Sequence, residues 1–243
     1  MKLIRLDPTN PAEAATVGVQ HAPGEVLPIR HIIGIGRNYA EHAHEQGADV
    51  PERPMVFTKA PAAACSDGDD IVVPKLCQDR EQVDYEAELA VIIGRAARDV
   101  SEADALGYVL GLCCGNDVSA RWWQKKGSGG QFCRGKSFDT FCPLGPAVVP
   151  VEAVGDVGAL GVRCRVNGEQ RQNGSTSQMI FPLARLIADL SRGTTLLPGT
   201  VIMTGTPSGV GMASDPPRYL KDGDTVEVEI DQLGTLRNTV RFE

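Results

Sequence analysis

"VDYEAELAVIIG" (residues 83–94) sets three acids, Asp84, Glu86 and Glu88, at alternate positions, then runs into Leu89, Ala90, Val91, Ile92 and Ile93. The β-branched residues and the closing Gly94 predict a strand, in which residues two apart share a face. All three acids then share one face, and Ala90 and Ile92 continue it. A face that turns from acid to apolar within one strand heads into the interior, where neighbouring carboxylates repel and are costly to desolvate. Two readings fit this stretch. Either a bound cation compensates the acids, or they sit solvated at an exposed strand end.

The 243 residues suffice for one large domain, or one domain with a small appendage. Hydrophobic residues make up 42% and charged residues 23%, an ordinary globular balance. A net charge of −7 without a Lys/Arg cluster argues against nucleic acid. No apolar run approaches membrane-spanning length, and "MKLIRLDPTN" reads as a first strand rather than a targeting segment. The seven cysteines are odd in number and lack C-x-x-C spacing, which suggests reduced, mostly buried thiols and a cytoplasmic setting.

Outward from the acid strand, residues 1–30 read as a small N-terminal strand element and 31–243 as the main domain. "HIIGIG" (31–36) predicts a strand leading into "RNYAEHAHEQG" (37–47), a short helix. "VFTKA" (56–60) and "DIVVP" (70–74) read as short strands. "SEADALGYVLG" (101–111) predicts a helix start capped by Ser101. The apolar run "YVLGLCCGND" (108–117) ends abruptly at Asn116 and Asp117. "PLARLIADLSRG" (182–193) carries a helical stripe of Leu183, Leu186, Ile187 and Leu190 with Gly193 as its cap. "TVIMTGTPSGVG" (200–211) is a strand entering a glycine-rich loop, and "TVEVEIDQLGTLRNTVRF" (225–242) alternates like a hairpin. Strands outnumber helices and are unevenly spaced, so the fold class expected is α+β, mainly β.

Several residues carry possible chemistry. Asp117, at the end of a buried-looking strand, would complete an all-oxygen set with Glu86 and Glu88 for Mg²⁺ or Mn²⁺; taken alone, it reads more readily as a turn or helix N-cap ahead of "VSARWWQ". His42 and Glu45 lie three apart on one helix face, giving an oriented, more basic imidazole, or an incidental surface pair. Lys136, in "RGKSFDTFCPLGP" (134–146), could hold a carboxylate or steady an enolate oxygen. The loop "TGTPSGVG" (204–211) lacks the Gly-Lys-Ser/Thr of a phosphate loop, though the Thr206 hydroxyl could meet a carboxylate.

Taken in order, "GRNYAEHAHEQ", "FTKAPAA", "DYEAELAVIIG", "GNDVSARWWQ", "RGKSFDTFCPLGP", "RVNGEQRQNGSTSQMIF" and "IMTGTPSGVG" make the chain resemble the fumarylacetoacetate hydrolase family from about His31 onward. The segment "DPPRYLKDGDTVEVEI" (215–230) points to the branch of fumarylacetoacetate hydrolase domain-containing protein 2 and its bacterial relatives. The resemblance implies a β-roll, barrel-like catalytic domain with short helices, a homodimer, and Mg²⁺ or Mn²⁺ on Glu86, Glu88 and Asp117. It also implies a catalytic His42–Glu45 dyad with Lys136, and substrate contacts from Arg37, Arg121, Gln124, Gly205 and Thr206. Asp84 is left for a rim or supporting position.

The implied chemistry is that of a 2-oxo acid passing through an enolate held on the metal. C–C hydrolysis of an acylpyruvate such as fumarylpyruvate or acetylpyruvate stands first, because the dyad is intact. Oxaloacetate tautomerisation or decarboxylation, or isomerisation of a 2-hydroxy-diene-dioate, would use the same site. A metal-dependent carboxylate-binding relative without catalysis is the non-enzymatic alternative.

Overall fold

In the computed structural model, which describes all residues except 8, 11–14, 46 and 48, the acid strand is broken in two. Val83–Asp84 pairs with Ser119–Ala120 in a separate two-stranded ribbon, and the long strand begins only at Ala87 and runs to Ile93. The expectation of one continuous strand carrying three acids on a shared face is therefore corrected. The chain turns at Tyr85–Glu86 because Asp84 is recruited by a different neighbour. Beyond the break the alternation holds. Ala90 and Ile92 enter one hydrophobic cluster, while Leu89, Val91 and Ile93 enter another on the opposite face.

Ala87–Ile93 is the middle of a seven-stranded mixed sheet in the order Met55–Lys59, His31–Gly36, Thr200–Met203, Ala87–Ile93, Val109–Asn116, Cys142–Val149 and Ala64–Ser66. Its two edge strands are joined by residues 60–63 alone. So short a link reaches at most about 19 Å, whereas the edges of a flat seven-stranded sheet would lie about 29 Å apart. The sheet must curl until its edges approach. Ile32, Ala90, Ile92, Cys113, Cys142, Val201 and Met203 line the inside of the curl.

Strands Lys2–Arg5, Val17–Ala22 and Glu25–Pro28 form a small antiparallel sheet that closes one end of that interior with Val17 and Val19. Part of the N-terminal element, residues 8 and 11–14, lies outside the described residues. On the outer face packs a five-stranded sheet ordered Glu169–Ser175, Gly161–Val166, Thr225–Ile230, Gly234–Phe242 and Asp70–Val73. The larger hydrophobic cluster lies between the two sheets.

The helix Leu183–Ser191 buries Leu183, Leu186 and Ile187, as its stripe predicts, and Gly193 follows at φ 63°. Ser101 accepts a hydrogen bond from the Asp104 N–H at 3.3 Å, yet only a 3-10 turn, Ala105–Tyr108, follows. Gly107 in that turn disfavours a longer helix. No helix among the described residues is long and apolar enough to cross a membrane.

Candidate metal centre and its surroundings

The register of the sheet explains how distant acids meet. Val109–Asn116 runs antiparallel to Ala87–Ile93 with Gly115 opposite Glu88 and Asn116 opposite Ala87. The next residue, Asp117, therefore arrives beside Glu86, and its N–H donates to the Glu86 carbonyl at 2.9 Å. Ligand atoms of Glu86, Glu88 and Asp117 lie within 4.8 Å of one another, and all three residues are buried. Strand Thr200–Met203 ends at the same edge of the sheet. Gly205 follows at φ 99°, with an added Cβ only 2.6 Å from the Asn38 Cβ, so only glycine fits there. That conformation lets its N–H donate to Glu88 Oε2 at 2.8 Å.

Cations flank the acids. Lys136 Nζ donates to Glu86 Oε2 at 2.9 Å, Asp117 Oδ2 at 2.6 Å and Ser119 Oγ at 2.6 Å. Lys59 Nζ, fully buried inside the curl, donates to Asp117 Oδ1 at 2.5 Å. Arg121 reaches Glu86 Oε1 at 2.6 Å and Asp84 Oδ2 at 2.8 and 2.9 Å. Burial opposes the ionisation of Glu86, but Lys136 and Arg121 overcome it and hold that carboxyl well below the usual carboxylate range. Glu88 goes the other way: burial, then the charges of Asp117 and Glu86, push it well above that range. Among these groups four carboxylates, including Asp84, face three cations, so one buried negative charge is in excess, and Glu88 carries the misfit. An all-oxygen set with an unsatisfied carboxylate fits a hard divalent ion such as Mg²⁺ or Mn²⁺.

Beside the triad a narrow recess of about 20 Å³ is lined by Gly36, Arg37, His42, Phe57, Gln124 and Phe132, among others, with Glu86, Glu88, Lys136 and Thr206 also on its wall. His42, on the helix Ala40–Glu45, places Nδ1 2.6 Å from Glu45 Oε1, and Glu45 Oε2 accepts from the Gly209 N–H at 2.9 Å. An imidazole held through Nδ1 by a carboxylate presents Nε2 as its basic nitrogen. Phe57 fits because it stacks over Gly34, where any Cβ would strike the ring at 2.1 Å. Its ring centroid is 5.0 Å from Lys136 Nζ.

Not every sequence-predicted residue meets the recess through its polar atoms. Gly205 gives its N–H to Glu88. The Thr206 hydroxyl donates to the Ala87 carbonyl at 2.8 Å and accepts from Gln172 at 2.7 Å. Both support the acid strand through these bonds, and Thr206 also lines the recess. Arg121 is likewise taken up by Asp84, Glu86 and Gln124 Oε1. Asp84 is fully buried and not at a rim. Its oxygens accept from the N–H groups of Tyr85, Gly211 and Met212 as well as from Arg121. Sequence reading missed Lys59, although "FTKA" (57–60) set a lysine at an inward position of a strand, and missed Gln172 and Asn38, which pin the loop after Met203. Six of the seven free cysteines are buried; Cys133 is exposed.

Comparison with known proteins places this geometry. A profile described as fumarylacetoacetate (FAA) hydrolase C-terminal matches residues 31–241. Oxaloacetate tautomerase fahd2, mitochondrial, of Xenopus laevis is 47% identical over 209 residues, 86% of this chain and 65% of its own length. Oxaloacetate tautomerase YisK of Bacillus subtilis is 47% identical over 222 residues, covering 90% of this chain and 72% of that protein. Among solved structures, fumarylpyruvate hydrolase from Pseudomonas aeruginosa in complex with Mn²⁺ and pyruvate superposes with a TM-score of 0.82 at 31% identity, over 93% of this chain and 95% of that one. The chain spans just under two thirds of the length of the mitochondrial relatives it matches. With the sheet, the triad and these matches in agreement, the chain belongs to the fumarylacetoacetate hydrolase family.

Proposed function

We propose that the protein catalyses keto–enol tautomerisation of oxaloacetate, using a divalent ion on Glu86, Glu88 and Asp117. The observation that carries this reading is a proton carrier, His42 fixed on Glu45 at 2.6 Å, sharing one small recess with Glu86 and Glu88 of a buried carboxylate triad. When bound, Mg²⁺ or Mn²⁺ supplies Lewis acidity toward the carboxylate and 2-oxo oxygens of a 2-oxo acid. His42 Nε2 takes the proton from C3; the C3–H electron pair forms the C2=C3 double bond, the C2=O π pair moves onto the oxygen, and a proton is delivered there, with no C–C bond broken. The Lys136 ammonium, buried at the wall, steadies the oxygen that gains charge. Phe57 and Phe132 give the recess an apolar side that limits water, which favours proton transfer over attack by water.

The 44–47% identity to proteins named oxaloacetate tautomerases supports this choice over the acylpyruvate hydrolysis that the sequence alone puts first. Hydrolysis remains the second reading, favoured by the likeness to fumarylpyruvate hydrolase along nearly that whole chain. The test offers the Mg²⁺-loaded protein oxaloacetate and acetylpyruvate, following enol absorbance and NMR of products. Accelerated enol–keto exchange with no bond broken is expected. Pyruvate and acetate formed from acetylpyruvate at a comparable rate would reverse the order of the two readings.

A further inference from the structure

One oxygen of each triad carboxylate is taken by a fixed donor. Arg121 holds Glu86 Oε1 at 2.6 Å, the Gly205 N–H holds Glu88 Oε2 at 2.8 Å, and Lys59 holds Asp117 Oδ1 at 2.5 Å. The second oxygens of Glu86 and Asp117 converge on Lys136, at 2.9 and 2.6 Å. Two lysines thus divide Asp117 between them, and they differ in freedom. Lys136 lines the recess, where an arriving ligand can draw it away. Lys59 has no exposed side-chain surface. It ends the edge strand Met55–Lys59, opposite Ile32 and on the same face as Phe57. Its ammonium also donates to the Val118 carbonyl at 3.3 Å, and the next residue, Ala60, gives its N–H to Ser137 Oγ at 2.9 Å. An ammonium that left Asp117 from this position would stay desolvated and unpaired, so the contact persists when the site is filled. Arg121 also serves Asp84, and Gly205 also shapes its loop. Among the described residues Lys59 has Asp117 as its only acidic partner, which makes it the lock that can be removed singly.

We propose that Lys59 denies Asp117 Oδ1 to the bound ion, so that the site offers single carboxylate oxygens and takes Mg²⁺ or Mn²⁺ in preference to Ca²⁺. Mg²⁺ demands near-ideal octahedral geometry and keeps several waters, whereas Ca²⁺ takes about six to eight oxygens and accepts both from one carboxylate. A carboxylate locked at one oxygen therefore deprives Ca²⁺ of a ligand and Mg²⁺ of none. Lys59 is a positioning residue, acting on the ion only through Asp117. This rests on the reading of Glu86, Glu88 and Asp117 as the metal ligands.

The test measures Kd for Mg²⁺ and for Ca²⁺ by calorimetry on the full chain, in wild type and Lys59→Met. Loss of the ammonium charge strengthens the attraction for both divalent ions alike, and simple damage to the site weakens both alike. The ratio of the two constants is therefore the readout. In Lys59→Met it is expected to move toward Ca²⁺ by about tenfold, the order of one charge-assisted contact. Lys59→Arg, which keeps a charged donor for Oδ1, should hold the wild-type ratio. X-ray absorption of the Mn²⁺-loaded wild type needs no variant. Single-oxygen ligation is expected there, and the short metal–carbon distance of a carboxylate bound through both oxygens would overturn the proposal. Wild type that binds neither ion would sink the metal reading together with this one. Binding of both ions with an unchanged ratio in Lys59→Met would sink this one alone.

Discussion

Replacing Asp84 by asparagine tests whether this residue is a structural keystone rather than a solvated acid. Both of its oxygens accept only from donors: Oδ1 from the N–H groups of Tyr85 (3.0 Å) and Gly211 (2.8 Å), Oδ2 from Arg121 (2.8 and 2.9 Å) and Met212 (2.9 Å). An asparagine amide, in either orientation, must point its NH₂ at two or more of those donors. The substitution is close in shape but cannot be accommodated electrostatically. Removing one partner of a buried ion pair costs about 3–5 kcal/mol, and Asp84 is fully buried. For a chain of this length that amounts to a fall in Tm of about 6–20 °C. Thermal unfolding by circular dichroism measures it, with Asp70→Asn as the control. Asp70 faces Arg241 at 3.8 Å on the surface, and its loss should cost less than about 0.5 kcal/mol. An Asp84→Asn protein melting within about 2 °C of wild type would refute the reasoning.

Other expectations follow from the same geometry. Glu88→Gln should raise the Tm of the metal-free protein, since it removes a carboxyl whose ionisation is opposed by burial and by the charges of Asp117 and Glu86, while abolishing the further rise that Mn²⁺ gives the wild type; a lower metal-free Tm would contradict this. Because Glu88 is raised in the folded state, its contribution to metal-free stability is present at acid pH and is lost as pH climbs through its folded pKa. Metal binding must expel that proton, so the apparent Kd for Mg²⁺ should fall about tenfold per pH unit until that pKa is passed. Calorimetry across pH, in buffers of different ionisation heat, should find protons released on binding at pH values below that pKa; a flat profile would count against it. Gly205→Ala should destabilise by about 1–3 kcal/mol, from strain at positive φ and contact with Asn38, and weaken Mn²⁺ binding by disturbing the N–H that holds Glu88. Unchanged affinity in that variant would separate the loop from the metal site.

The sequence was most informative where a local pattern and the tertiary environment agree. The stripe of Leu183, Leu186 and Ile187 meets the core as a helix, and the run from Thr225 to Phe242 pairs as a hairpin, because each buries its apolar face against the neighbouring sheet. The pairing of Glu86 with Glu88 was legible as a charge problem, and the register of Val109–Asn116 supplies Asp117 to it. The break at Tyr85 was not legible. It arises from long-range partners of Asp84, Arg121 and Gly211, which no alternation pattern encodes. Lys59 escaped for a similar reason. A lysine in a strand ordinarily reaches solvent, and only the curl of the sheet turns this one toward Asp117. Long-range contacts of the same kind tie the Thr206 hydroxyl to the acid strand and the Arg121 guanidinium to Glu86.

The account stands on His42 and the carboxylate triad working as one proton-transfer site. The most direct measurement is deuterium exchange at C3 of oxaloacetate in D₂O, corrected for the metal-only rate, in wild type and His42→Gln, with Mg²⁺ occupancy of both confirmed by calorimetry. Exchange slower by about 10²–10⁴-fold in the variant, at equal metal occupancy, is the predicted result. Equal exchange rates with the metal bound in both would contradict it.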